Sequence, residues 1–515
     1  MNGKIVSRRP RRLAYGQGMS PFRPRSLLLA AAALVVSAQA PASAPPASAP
    51  PAIDHAGARA IVEGVHAMLA GVLGTLAPAS GLLHATVQGD HYRIEIPVAH
   101  RWNGGGVGGD SIGANLVPLG DGRWRVGDGA LPRHLEFNVD HPPPGVASLT
   151  AMTMKVGSFS GVIDTTLATP TRLRFHIADE TVAGVGPGIS NGGHLDAADG
   201  ALLVTPAADG RVTLANTSSL RGMHTNSAIG KLTTSSDVAS ASGSLRIDNL
   251  SLPALRAGIR AITTLATLPN PAPGTSGGTG TDPAVRKELH TLIADLASGA
   301  TSVSMRSSES GIAIHGTGPV QGTIGHVGFG MRLGQRNGSV ALALRFVLDK
   351  PSFPALVPAG ILARFMPSRV VLRPRLAGID AAALRRSLDA AVDSPEPSAL
   401  PGLAMAVLDA HPATVAIDSL LIDTGPARIT GHGSLTVRGP GDAQGSATLR
   451  ATGIDAAMKE LSADPEGQKA LGMLIFLKGL AKPEGDALVW HLVFDGQKLL
   501  VNGNDVSALA PNAPK

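Results

Sequence analysis

VVLRPRLAGIDAAALRRSL at 370–388 and GSATLRATGIDAAMKELS at 445–462 share Gly-Ile-Asp-Ala-Ala, and their reading decides the fold. In each, a strand-like run ends at a glycine, Gly378 or Gly453. An aspartate, Asp380 or Asp455, follows as helix N-cap, because its carboxylate can accept hydrogen bonds from the unpaired N–H groups of a first turn. Alanines then open a short helix. SLRIDNLSLPALRAGI at 244–259 is a looser version, ending in a helix started by proline. Recurring strand-to-helix units predict extended, curved antiparallel sheets with short capping helices, an α+β fold dominated by β. Ordinary capping chemistry without homology accounts for the repeat as well.

Around these units the chain reads as β meander. Short apolar runs are separated by Asp121-Gly122, Asp209-Gly210, Asn337-Gly338 and Asp495-Gly496, the residue pairs that accept tight turns. Near the C-terminus Leu488, Trp490, Leu492 and Phe494 share one strand face. Val489 and Val493 take the other, with His491 between them, so this strand reads as buried on both sides.

Two breaks divide the chain. PASAPPASAPPA at 41–52 is a Pro/Ala-rich spacer, and LPNPAPGTSGGTGTD at 268–282 gathers Pro, Gly, Ser and Thr. The halves are 53–270 and 283–515, joined by a linker at 271–282. Each opens with a helix. Ile61, Val65, Met68, Val72 and Leu76 share one helical face, with Asp54 as N-cap, and Val285, Leu289, Leu292 and Leu296 share another after Asp282-Pro283. Each helix leads into short runs around a polar turn, at 84–98 and at 301–316. Tandem duplication explains two related halves, and convergent helix–hairpin architecture explains them equally.

The formal charge of +6 is concentrated at the N-terminus. Seven of the 44 basic residues lie in 1–52 with no acid, which leaves 37 against 38 acids, a net of −1 downstream. Arg23 and Arg25 precede the apolar run Leu27–Val36 and then Ala38-Gln39-Ala40, the pattern of a signal peptide at 1–40. A start at Met19 leaves a signal of ordinary size. Ten apolar residues are too few to span a bilayer core of about 30 Å. Nucleic-acid binding therefore loses its electrostatic support, and a periplasmic or cell-envelope location is expected. Among 515 residues there is no Cys, which removes disulfides, thiolate metal sites and thiol nucleophiles.

From about 340 to 510 the chain resembles known families. PSRVVLRPRLAGIDAAAL, ATVAIDSLLIDTGPARITGHGSL and MLIFLKGLAKPEGDALVWHLVFDGQKLLVNGNDVSAL are similar to uncharacterised exported proteins of Alphaproteobacteria, near the AsmA-like and periplasmic β-rich domain-of-unknown-function families. The resemblance implies an envelope protein of extended antiparallel sheet. It carries no catalytic signature and transfers no site residue.

Motifs with chemical meaning fail in context. Gly104-x-Gly106-x-x-Gly109 matches the dinucleotide fingerprint, but Asp110-Ser111-Ile112 is a poor helix start. Gly188-Ile189-Ser190-Asn191-Gly192 and Gly274-Thr275-Ser276-Gly277-Gly278 match the nucleophile elbow. Ser276 falls in the linker, and Ser190 precedes Asn-Gly-Gly-His194 where an elbow requires a helix. The 16 histidines show no i, i+2 or i, i+4 pair. His84 and His91, or His134 and His141, stand seven apart, which favours surface or strand-end positions over metal. Asn216, Asn249 and Asn337 head glycosylation sequons and read as turn or strand-end residues. Three Trp and two Tyr make an aromatic stacking platform implausible.

No residue is assigned as catalytic, cofactor-binding or metal-ligating, and no cofactor is expected. The expected role is a non-enzymatic structural or interaction protein of the envelope. The alternative is a carrier of lipid or another hydrophobic ligand, marked by a sheet face lined with Leu, Val and Ala yet unpacked by other elements. A serine hydrolase using Ser190 or Ser276 ranks third. Expected partners are envelope lipid or other envelope proteins, with peripheral membrane association and no nucleic acid.

Overall fold

A computed structural model describes residues 53–507, apart from 74–79, 99, 103–104, 140–147, 165–166, 168, 187, 231, 268–282, 299–300, 317–320, 355–360, 394–406, 408–411, 440–441, 466 and 497. The expected signal peptide and spacer at 1–52, the expected linker with Ser276, and His141 lie outside the described residues.

The chain begins with helix α1 (His55–Leu73) and strands β1 (His84–Gln88), β2 (His91–Ile96), β3 (His100–Trp102), β4 (Gly105–Gly109), β5 (Ile112–Gly120), β6 (Arg123–Ala130) and β7 (His134–Val139). Long strands follow: β8 (Ser148–Asp164), β9 (Thr169–Gly186), β10 (Ile189–Pro206), β11 (Arg211–Ile229) and β12 (Leu232–Ser251). Helices α2 (Leu252–Thr267) and α3 (Pro283–Leu296) precede β13 (Ser302–Gly316), β14 (Gly322–Arg336) and β15 (Ser339–Ser352). Then come α4 (Ile361–Arg364), β16 (Arg369–Asp380), α5 (Ala381–Asp393), β17 (Ala413–Asp423), β18 (Arg428–Gly439) and β19 (Asp442–Thr452). The described chain ends with α6 (Ile454–Ser462), α7 (Gly467–Leu480), β20 (Lys482–Glu484), β21 (Ala487–Asp495), β22 (Leu499–Val501) and β23 (Asn504–Asp505).

The fold is one long, open antiparallel sheet with a few short helices. From β8 to β19 each strand pairs with the next in sequence, and β21, β22 and β23 extend the ladder beyond β19. On the other side β8 pairs β6, then β5, β2 and β1 follow. β12 and β13, on either side of residues 268–282, are hydrogen-bonded neighbours, so the sheet runs unbroken through both halves.

Local chemistry explains the ends. Asp380 Oδ1 accepts from the Ala383 N–H at 2.7 Å and caps α5 as expected. Asp54 Oδ1 accepts from Gly57 N at 2.7 Å and caps α1, while Ser251 Oγ accepts from Ala254 N at the start of α2. Asp455 does not cap. Gly453 (φ +75°) takes the cap position, so α6 starts before Asp455, whose carboxylate pairs instead with Lys478. α1 spans His55–Leu73, and Leu76 lies outside the described residues. Asp121-Gly122 and Asn337-Gly338 turn with both φ positive, the conformation of a two-residue hairpin. Residues 301–316 are not a hairpin: 302–316 form the single strand β13.

That correction belongs to a larger feature. Across eight strands the pairing skips one residue on each strand: Lys155, Asp179, Asp196, Gly222, Ala239, Gly311, Gly325 and Lys350, from β8 to β15. Every second one, Asp179, Gly222, Gly311 and Lys350, has φ between +51° and +62°. The row reverses side-chain alternation. In β9, Leu173 and Ile177 are buried before it and Glu180 and Val182 after it. In β10, Leu195 is buried before it and Ala198, Leu202 and Val204 after it. Because all eight strands switch together, the apolar face stays continuous.

The main core lies against the β1–β12 part of the sheet. Ile61, Val65 and Leu69 of α1 and Ala254 and Leu255 of α2 pack with Tyr92, Leu116, Val126, Ile177, Val204 and Val212. Tyr92 is fully buried, sits edge-on to Trp124, and its hydroxyl accepts from Asp54 N at 3.1 Å.

Candidate functional site

Through Val303 and Met305 of β13, beside exposed Ser307 and Glu309, the same face passes into the later strands. Val327, Phe329, Met331 and Leu333 of β14 stand opposite Leu348, Phe346, Leu344 and Leu342 of β15. Leu372, Val370 and Leu376 of β16 extend the rows, followed by Leu420, Ile422 and Val415 of β17. Ile429 and Leu435 of β18, Leu449 of β19, and Leu488, Trp490, Leu492 and Phe494 of β21 complete it. Phe329 and Phe346 pack with ring centroids 5.3 Å apart and ring planes tilted by 54°. The opposite face is mainly polar, with Ser304, Arg306, Ser308, His326, Arg332, Arg345, Arg373, Arg375, Ser434, Ser446 and Thr448.

This apolar face is only half covered. Phe346 is 41% exposed, Val415 41% and Ile417 39%, and the other large residues of its β14–β18 rows are half-buried. Apart from α1, which packs on β1 as well as on α2, the helices mainly contact one another, α2 with α3, α3 with α5, and α6 with α7. A small cluster of Val340, Ile379, Ala381 and Ala413 closes the end near α5. At the other end the Trp490 Nε1–H donates to the Leu477 carbonyl at 2.8 Å and seats α7 against β21. The terminal strand is therefore not buried on both sides. On the Val489 face the cover stops early: Val489 is buried, whereas His491 and Val493 are exposed.

Two recesses open on the polar side. One, about 600 Å³, is lined by Ser158, Ser160, Arg174, His176, Asp199 and Thr217, among others. The second, about 350 Å³, includes Arg375, Asp418 and His432. Arg375 holds Asp418 through Nε and Nη2 at 3.1–3.2 Å, and that carboxylate raises the guanidinium's pKa. Histidines on this side pair with acids: His176 with Asp199 at 2.8 Å, His194 with Asp196 at 3.1 Å and His224 with Asp237 at 2.7 Å.

One titratable group lies on the apolar side of the long strands. Glu180 is 4% exposed between its strand neighbours Met154 and Leu195, and its Oε2 has no hydrogen-bond partner. Burial raises its pKa, since a carboxylate away from water favours the neutral acid.

The sequence motifs land in plain strand structure. Gly105–Gly109 form β4, paired with β7, and a loop then leads into β5 rather than a helix. Ser190 lies in β10, paired with Val185 and Ala228, so no strand–turn–helix elbow forms there. His194 bonds to Asp196 and Thr181. A third G-x-S-x-G, Gly109-Asp110-Ser111-Ile112-Gly113, escaped the motif reading; Ser111 lies in the exposed loop between β4 and β5. His84 and His91 sit on paired strands, His91 beside Asp90, and His134 pairs with Glu136. Among the described residues no group of three or more His, Asp or Glu is arranged to hold a metal. Asn249 is near a strand end and Asn337 in a turn, but Asn216 is mid-strand between Leu202 and Leu245.

These features define a class of protein: a single-layer antiparallel sheet with one polar face and one partly open aliphatic face. Within that class, residues 263–502 are similar to a family described as an uncharacterized protein conserved in bacteria (DUF2125). No curated protein and no solved structure matches the chain. The matched segment contains α3 to β22 and with them the open part of the face.

Proposed function

We propose that this is an exported protein of the bacterial envelope, near the AsmA-like and periplasmic β-rich proteins, that carries lipid or another hydrophobic ligand on the open apolar face. One observation carries the reading: side chains such as Phe346, Val415 and Ile417 share a continuous aliphatic face with a buried core, yet stay about 40% exposed. Full burial of each would contribute roughly 1.5–3 kcal/mol, so a face left open across several strands favours an apolar occupant. Acyl chains suit the β14–β18 rows because their lining is mainly apolar, and Ser307 and Glu309 of β13, opposite Phe329 and Val327, give that face a polar margin. The basic, apolar and Ala-x-Ala sequence at 23–40 supports export.

The experiment is native mass spectrometry with lipid extraction on protein purified from the envelope under mild conditions. Phospholipid at fixed stoichiometry, displaced in a Phe346→Glu variant, is the expected result. An empty protein overturns the carrier reading and leaves a structural or interaction role.

A further inference from the structure

We infer that α7 is the element by which the protein docks on an anionic phospholipid bilayer. Its sequence, GQKALGMLIFLKGL, contains no acid, and its only charges are Lys469 and Lys478. Met473 is 71% exposed, Ile475 53% and Phe476 47%, with Leu477 also exposed. Met473, Phe476 and Leu477 stand at i, i+3 and i+4 on one stripe, the side that a helix lying in a bilayer interface buries, and Ile475 lies off that stripe. Fourteen residues give about 21 Å at 1.5 Å per residue, shorter than a hydrocarbon core, so the helix would lie in the interface.

Charge selects the bilayer over another apolar surface. Lys469 and Lys482, exposed near the two ends of α7, make no ion pair among the described residues, whereas Lys478 is held by Asp455 and Arg364 of α4 by Glu460. Lysine stems can lie along apolar surface while their ammonium groups reach lipid phosphates. α7 also adjoins the open sheet face. Its last turn is fixed by Trp490, one of the residues of that face, and by Asn502, whose Nδ2 donates to the Leu480 carbonyl at 2.7 Å. Docking here would bring the end of the proposed ligand face to the membrane surface, and in that respect the inference builds on the carrier reading.

The test is co-sedimentation of the full chain with vesicles of 30% phosphatidylglycerol in phosphatidylethanolamine, and with pure phosphatidylcholine vesicles. Binding to the first, several-fold weaker to the second and weakened by salt, is expected, with a blue shift of Trp490 emission that Trp490→Phe abolishes. Met473→Glu with Phe476→Glu should reduce binding at least tenfold, and both positions are exposed enough to leave the circular dichroism spectrum unchanged. Lys469→Glu with Lys482→Glu should remove the preference for anionic vesicles while leaving the apolar residues intact. A wild-type chain that stays in the supernatant overturns the inference, as does a double-glutamate variant that binds like wild type, or a helix that proves to be buried between two copies of the chain. Lipid content of the same preparations separates the two readings. Lipid present without vesicle binding defeats docking alone, and vesicle binding by an empty protein defeats the carrier reading alone.

Discussion

Gly311 of β13 and Ala239 of β12 meet with room for only one methyl group. A Cβ built on Gly311 would stand 2.7 Å from the Ala239 Cβ, and Gly311 has φ +62°. Both belong to the row at which eight strands reverse their alternation. Gly311→Ala should therefore destabilise the chain by about 1–3 kcal/mol, the cost of a left-handed residue plus overpacking. Lys350, in the same row at φ +51°, should respond the opposite way, with Lys350→Gly gaining up to about 1 kcal/mol. Urea unfolding of both variants reads the two signs, and equal signs would contradict the assigned strain.

Glu180 supplies a pH signature. Its folded pKa is raised by burial, so the folded state binds its proton more tightly than the unfolded chain does. Stability then falls as pH rises from the ordinary Glu range through the raised value. Glu180→Met should stabilise the protein at pH 7 by about 1–3 kcal/mol and flatten that slope. A variant less stable than wild type at pH 7 would show that the carboxylate has a partner.

His290 of α3 works with the opposite sign. Its Nδ1 lies 2.7 Å from Asp389 and its Nε2 3.0 Å from Asp393, both on α5, and these carboxylates raise its pKa. Only the protonated ring can donate to both. The contribution is fully present below the ordinary His value of 6.5 and is lost as pH rises through the raised one. His290→Gln should remove this loss. His290 and Asp389 are about one-third exposed and Asp393 is 60% exposed, so the effect should stay below roughly 1 kcal/mol. Histidine titration by NMR measures the shift, and an ordinary pKa would refute the bridge.

The two parts of the apolar face should answer substitution differently. Ile177 is 1% exposed in the main core, and Ile177→Ala should cost about 2–5 kcal/mol. Phe346→Ala, at 41% exposure, should cost well under half of that while lowering bound lipid. Thermal melts beside lipid quantification check both, and equal destabilisation would mean that the Phe346 region is ordinary core.

Much of the meander was legible. Asp-Gly and Asn-Gly turns, the caps Asp54 and Asp380, and the helix after Pro283 all follow from contacts within a few residues. Ser307–Ser310 followed by Gly311 looked like a turn, because a left-handed glycine in a polar stretch has the same composition in a turn and in a strand. Asp455 misled for a related reason: Gly453 could take the cap position two residues earlier, where a Cβ would collide with the Pro426 carbonyl. On the functional side, partial two-residue alternation was visible, but not that its phase changes at Asp179, Asp196 and Gly222 in register.

The sequence by itself determined the β-dominated class, the Asp-Gly and Asn-Gly turns and the helices capped by Asp54 and Asp380 or opened by Pro283, because each depends on local backbone preference or composition. Tertiary structure alone decided which Leu, Val and Phe became core. Leu372 and Leu173 have the same chemistry and similar strand contexts, yet Leu173 lies in the core packed by α1 and α2, and Leu372 lies on a face left half open. Burial depends on what arrives from distant parts of the chain, and nothing in a strand's own residues states whether a second layer will come.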